Sequence, residues 1–218
     1  MHIIKAILLL IIAFVVQIKA ADSKPPMTRI ECRYISEKTP ADSFAAKPKV
    51  IYIAGTTYSR TEEQPDPAER IHGLIVVAEP DIWMVNLFPH TAQHIIDPGP
   101  TFITHHNILD LDAPKEFSSF EFGKEIEFFR THHATSLEAR LLDGQRCEVS
   151  EVKHESYRIV LFVRADTHKP FHLDVFRDNK PFFSIRYLSY QTDLPFEPAL
   201  FKPPADVTIK EAEPNKTK

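Results

Sequence analysis

Apolar and polar residues alternate with a period of two along most of the chain, most clearly from Pro170 to Asp178. There Phe171, Leu173 and Val175 fall on one side, while His172 and Asp174 fall on the other. This pattern predicts a half-buried β-strand. Asp178, Asn179 and Lys180 supply a turn before a second such stretch, Phe182 to Tyr190, so the two segments read as an antiparallel hairpin. The same logic pairs Val50–Ile53 with Thr57–Thr61 across Ala54, Gly55 and Thr56, and His72–Ala78 with Asp81–Leu87 across Glu79 and Pro80. With Thr28–Ser36, Gln93–Ile96, Glu138–Leu142, Arg146–Glu155 and Tyr157–Arg164, the expectation is roughly ten strands. Parallel pairing needs long helical crossovers, and the short connections predict an antiparallel sheet throughout.

One segment departs from the alternation. From Pro114 to about His133, Phe117, Phe120, Phe122, Ile126 and Phe129 are spaced among Glu and Lys, which predicts a helix with Pro114 in its first turn and Asp112 as its cap. Its phenylalanine-rich side is wide, so the helix is expected to be largely enclosed. An open, strongly twisted sheet of about ten strands curls or splits. The fold class expected is therefore mainly β with one principal helix: a curved antiparallel sheet forming an unclosed barrel around a helical lid. If the side chains do not fill the concave face, a hydrophobic cleft results.

The first 20 residues change the picture of where the protein works. Two lysines bracket an unbroken apolar run from Ala6 to Val16, and Ile18, Lys19 and Ala20 end in a small residue. This is a signal-peptide pattern, cleaved near Ala20, and the run is shorter than the about 20 residues a transmembrane anchor needs. The expectation is a periplasmic or secreted protein with one domain over residues 21–210 and a disordered tail over 211–218. Removing the two leader lysines takes the net charge from −4 to −6, and no Lys/Arg cluster offsets it, which argues against nucleic-acid binding. In an oxidising compartment the two cysteines, Cys32 and Cys147, either form a disulfide or remain as buried thiols.

Catalytic patterns are absent. There is no nucleophile elbow, P-loop or zinc-protease helix, and the five glycines are isolated. The carboxylate pairs Asp110 with Asp112 and Glu62 with Glu63 read as solvated faces. The chain is thus expected to be no enzyme and to need no cofactor. Among the 11 histidines, His90 and His94 would share a face of one strand and are the candidate metal ligands, although zinc needs three or four convergent ligands. Asp97, Pro98, Gly99 and Pro100 form a rigid turn, either structural or a recognition edge at the mouth of a cleft. Trp83 reads as core filler or as a cleft-lining aromatic.

Two phrases carry a family resemblance. Asp81-Ile82-Trp83-Met84-Val85-Asn86 places a tryptophan just after a tight turn, and Leu200-Phe201-Lys202-Pro203-Pro204 precedes the short segment Asp206-Val207-Thr208-Ile209. In both, over Thr28 to Ile209, the chain resembles the outer-membrane lipoprotein carrier superfamily, with its LolA-like fold. The resemblance implies an unclosed barrel with a helical lid, in a periplasmic protein that holds lipid, lipoprotein acyl chains or another apolar ligand without reacting with it. An envelope protein is a further implied partner. Trp83, Phe117, Phe122, Ile126 and Phe129 are the expected cleft-lining residues. Two rival expectations stand beside this one: a structural or protein-interaction domain whose barrel is fully packed, and a metal-dependent protein using its histidines.

Overall fold

In a computed structural model of the chain, the described residues are 24–40, 43, 46–109 and 113–211. The expected signal peptide, Asp110, Asp112 and residues 212–218 of the expected tail lie outside them. Among the described residues, twelve strands form one sheet. The first six are β1 (Met27–Ile35), β2 (Lys49–Ala54), β3 (Tyr58–Glu63), β4 (Gly73–Ala78), β5 (Asp81–Asn86) and β6 (Thr91–Ile96). They are followed by β7 (Thr135–Leu142), β8 (Gln145–His154), β9 (Tyr157–Arg164), β10 (Pro170–Arg177), β11 (Lys180–Leu194) and β12 (Thr208–Glu211). The order across the sheet is β12-β6-β5-β4-β3-β2-β1-β11-β10-β9-β8-β7, and the sheet does not close. Two meanders, β1–β6 and β7–β11, are therefore joined side by side through β1 and β11.

Turn chemistry explains the hairpins. Asp178 and Asn179, between β10 and β11, both have positive φ, as do Asp143 and Gly144 between β7 and β8. These are the two-residue loops whose twist matches that of the flanking strands. Each strand then turns alternate residues to the concave side, where Ile30, Ile159, Leu161, Leu173 and Ile185 form a floor at or near zero exposure. Phe117, Phe120, Phe122, Phe128 and Phe129 pack onto this floor from residues 113–134. Phe120 and Phe128 lie 4.6 Å apart between ring centroids, within the range of favourable aromatic pairs.

The expected helix is not continuous. A 3-10 turn at Lys115–Phe117 is separated from an α-helix, α1 (Glu125–Thr131), by an extended stretch. There the Ile108 N–H donates to the Phe120 carbonyl and the Phe122 N–H donates to the His106 carbonyl, both at 2.9 Å. Gly123 follows with φ +88°, a conformation that breaks a helix and favours glycine. Restarting at Glu125 resets the helical phase, so the buried positions of α1 are Glu125, Phe128 and Phe129. Ile126 is 44% exposed, and α1 is covered on one side rather than enclosed.

Two further expectations are corrected, and one left open between two alternatives is decided. First, β12 pairs parallel with β6, so the sheet is not antiparallel throughout. Residues 195–207 provide the crossover without an α-helix: Phe196, Leu200 and Phe201 pack on Met27, Ala54 and Tyr58 across the outer face. Second, Glu211, placed in the tail by sequence, is the last residue of β12. Third, Cys32 and Cys147 are both buried free thiols. Strands β11, β10 and β9 lie between β1 and β8, which puts the two cysteines four strand spacings, about 19 Å, apart along the sheet. A disulfide needs Cα atoms within about 7 Å.

Candidate functional site

The aromatic plug fills the middle of the concave face and leaves a groove along one flank. Its wall is α1, from which Ile126 and Phe129 contribute apolar surface and Arg130 a cation. Its floor comes from β8 and β9, where Ser150 pairs with Leu161 and Glu148 with Val163, so that these side chains share the concave side. Ser136, His133 and His168 complete the polar rim, around a cavity of about 410 Å³. That volume lies within the range typical of small-ligand sites, and the mix of apolar walls with a few polar groups is also typical of them.

A buried network fixes α1 to β11. Glu125 is completely buried, and its carboxylate accepts hydrogen bonds from Tyr187 at 3.0 Å, from Tyr190 at 2.8 Å and from the Gly123 backbone N–H at 3.0 Å. Burial pushes the Glu125 pKa up despite these donors, and burial together with the neighbouring carboxylate holds both tyrosines well above their ordinary value. Nearby, Glu121 bonds to His105 at 2.6 Å and Lys124 at 2.7 Å. Burial opposes its ionisation, but these two partners keep its pKa below the usual carboxylate value.

The residues expected to line one cleft are distributed over several places. Ile126 and Phe129 meet in the groove. Phe117 borders a separate cavity of about 270 Å³ with Leu109 and Pro114, and Phe122 one of about 160 Å³ with His106 and Ile53. Trp83 lies on the opposite face of the sheet, packed against the cluster of Leu74, Val76, Val85 and Ala92 and stacked on His94. Leu161 and Val163 carry no local signal of this role, because strand register, not local pattern, puts them opposite α1.

The remaining candidates have local partners. Asp97 accepts a hydrogen bond from the Gly99 N–H at 2.8 Å, and its own N–H donates to Pro80 at 2.8 Å. Gly99 has φ +70°, and the Asp97–Pro100 turn thus braces the β4–β5 connection rather than the groove. His90 sits in the turn before β6 with positive φ and faces Asp206, whereas His94 lies on β6 between Asp81 and Glu211. Each histidine therefore faces its own carboxylates. Among the described residues, no group of three or more His, Cys, Asp or Glu side chains is arranged to hold a metal ion. No helix among them is long and apolar enough to cross a membrane.

No protein-family model matches the sequence, and no curated protein matches it. Solved structures do. An uncharacterized conserved protein from Thermus thermophilus is similar over 87% of this chain and 91% of its own, with 8% identity and a TM-score of 0.47. MucB, in the MucA/MucB complex of Pseudomonas aeruginosa, is similar over 82% of this chain and 56% of its own, at 10% identity and a TM-score of 0.42. The LolA superfamily protein NE2245 from Nitrosomonas europaea is similar over 83% of this chain and 91% of its own, at 10% identity and a TM-score of 0.31.

Proposed function

We propose that this protein is a non-catalytic binding or carrier module of the periplasm that holds one apolar chain in the groove between α1 and strands β7–β9. The observation that carries the reading is the groove itself, lined by Ile126, Phe129, Leu161 and Val163 beside the packed aromatic plug. Burying one methylene contributes about 0.8 kcal/mol, so about a dozen of them contribute on the order of 10 kcal/mol before the costs of association. No charged residue is required for that affinity. The signal-peptide pattern of residues 1–20 supports the compartment.

Uptake of a fluorescent long-chain fatty acid by the purified protein tests this, with native mass spectrometry to detect co-purified lipid. Saturable uptake by the wild type and its loss in Ile126→Asp, a change at an exposed position, are expected. A wild type that takes up no probe and carries no lipid overturns the reading.

One observation favours a second reading. The middle of the concave face is filled by Phe117, Phe120, Phe122, Phe128 and Phe129, as a packed protein-interaction domain would have it. Crosslinked envelope partners from a protein that takes up no lipid would support that alternative.

A further inference from the structure

A second charge arrangement lies at the edge of the sheet formed by β12. This strand has only four residues, all of them exposed, yet it covers the outer edge of β6 with Glu211 paired to His94. His94 Nδ1 lies 2.8 Å from a Glu211 oxygen, and its Nε2 lies 2.8 Å from Asp81 Oδ1. A neutral imidazole has a single N–H, and only the imidazolium donates from both nitrogens. The geometry at His94 is therefore that of a cation held between two carboxylates on neighbouring strands.

The surroundings leave that cation without a rival. Across the outer face the row runs Arg60, Val76, Trp83, His94, Glu211, and Arg60 is itself paired with Glu62 at 2.9 Å. Trp83 stacks on the imidazole with 5.2 Å between centroids and 14° between planes. Lys210, next to Glu211, belongs to the other face by strand alternation. Where β12 begins, His90 Nδ1 stands 2.9 Å from Asp206, and the Thr208 N–H donates to the His90 carbonyl at 2.8 Å. So short and exposed a strand buries little, and beyond its backbone ladder with β6 and the packing of Val207 on the Leu74, Val76, Val85 and Ala92 cluster, these charged contacts are what hold it.

We propose that β12 is a proton-controlled edge strand: the imidazolium of His94 locks it onto β6, and loss of that proton releases it and bares the β6 edge. Deprotonation leaves one ring nitrogen as a lone pair facing a carboxylate, which turns an attraction into a repulsion. Glu211 and, after it, Asp81 hold the proton on His94 above the ordinary histidine value of 6.5. Sign follows directly: the contribution is complete below 6.5 and disappears as pH rises through the raised value. The lock is shut in acid and opens toward alkaline pH.

Hydrogen exchange on the full chain at about pH 5.5 and pH 8.5, expressed as protection factors, tests this directly. The amides of β12 in the wild type are expected to lose about tenfold or more protection at the higher pH, while those of β5 and β10 keep theirs. In His94→Gln the low protection should be present at both pH values. Trp83 is the single tryptophan, and its fluorescence reports the charge on the stacked ring. The wild type should titrate with a midpoint above 6.5, and Glu211→Gln, a change at an exposed position, should move that midpoint down. Equal β12 protection at both pH values in the wild type, or an unchanged pH response in His94→Gln, overturns the proposal.

Discussion

The phenolic oxygen of Tyr190 lies 2.8 Å from the carboxylate of Glu125, tying the longest strand, β11, to the first residue of α1. Tyr187 donates to the other oxygen from the same strand, so the wall of the groove is pinned to β11 by a carboxylate that water does not reach. Removing one donor leaves a buried acceptor short of a partner. Tyr190→Phe is expected to cost about 1–3 kcal/mol, read as a lower urea midpoint with an unchanged slope.

Glu125 also gives a pH signature. Burial raises its folded-state pKa above the ordinary 4.5, so its contribution to stability is complete below 4.5 and falls as pH rises through the raised value. Glu125→Gln abolishes that slope. Its stability relative to the wild type should therefore improve from about pH 4 to pH 7, as followed by urea unfolding at each pH.

His106 acts in the opposite sense. The residue is half-buried, with Nε2 shielded and lacking a hydrogen-bond partner among the described residues, and burial pushes its pKa down to about 4. The unfolded chain takes up a proton near 6.5 and the folded chain resists until about 4, so stability is full above 6.5 and is lost as pH falls through that window. The difference is on the order of 3 kcal/mol. His106→Gln should flatten the acid side of the stability profile, again by urea midpoints.

Cys32 is buried in the core and its thiol is pushed up to about 12 by burial; Cys147 is buried in a separate apolar cluster. Neither should react with a disulfide reagent at neutral pH in the folded protein, whereas both should react in denaturant. A reductant is expected to leave Tm unchanged. Rapid modification of the native protein, or a fall in Tm on reduction, would contradict this.

Phe120 has no exposed surface and touches Phe128 and Phe129 at the centre of the plug. Phe120→Ala should cost about 3–5 kcal/mol. Leu141, which is 74% exposed, should tolerate alanine within about 0.5 kcal/mol. Thermal unfolding of both variants checks the contrast.

The strands are legible because each is written locally: Pro170–Arg177 and Lys180–Leu194 announce themselves by alternation and by the Asp178–Asn179 turn. The helix misleads for an equally local reason. Phe117 to Phe129 shows an apolar rhythm that a continuous helix would also give, and only Gly123 marks the break that rotates Ile126 outward and Phe128 inward. The groove is half legible. Ile126 and Phe129 belong to one segment, but Leu161 and Val163 join them through strand register, which depends on neighbours far away in sequence. Trp83 shows the same limit, since alternation puts it on one face of β5 without saying which face is concave.

Placing β1 in the middle of the sheet sets the order in which the chain can fold. One neighbour of β1, β2, follows it at once, but the other, β11, lies at Lys180–Leu194, near the far end of the sequence. The hairpins of each meander can form early, while the seam between them waits for nearly the whole chain and carries the loop-closure entropy of about 150 residues. Until then one long border of β1 is unpaired and open to other chains, which makes this seam the step at which holding by a chaperone would matter most.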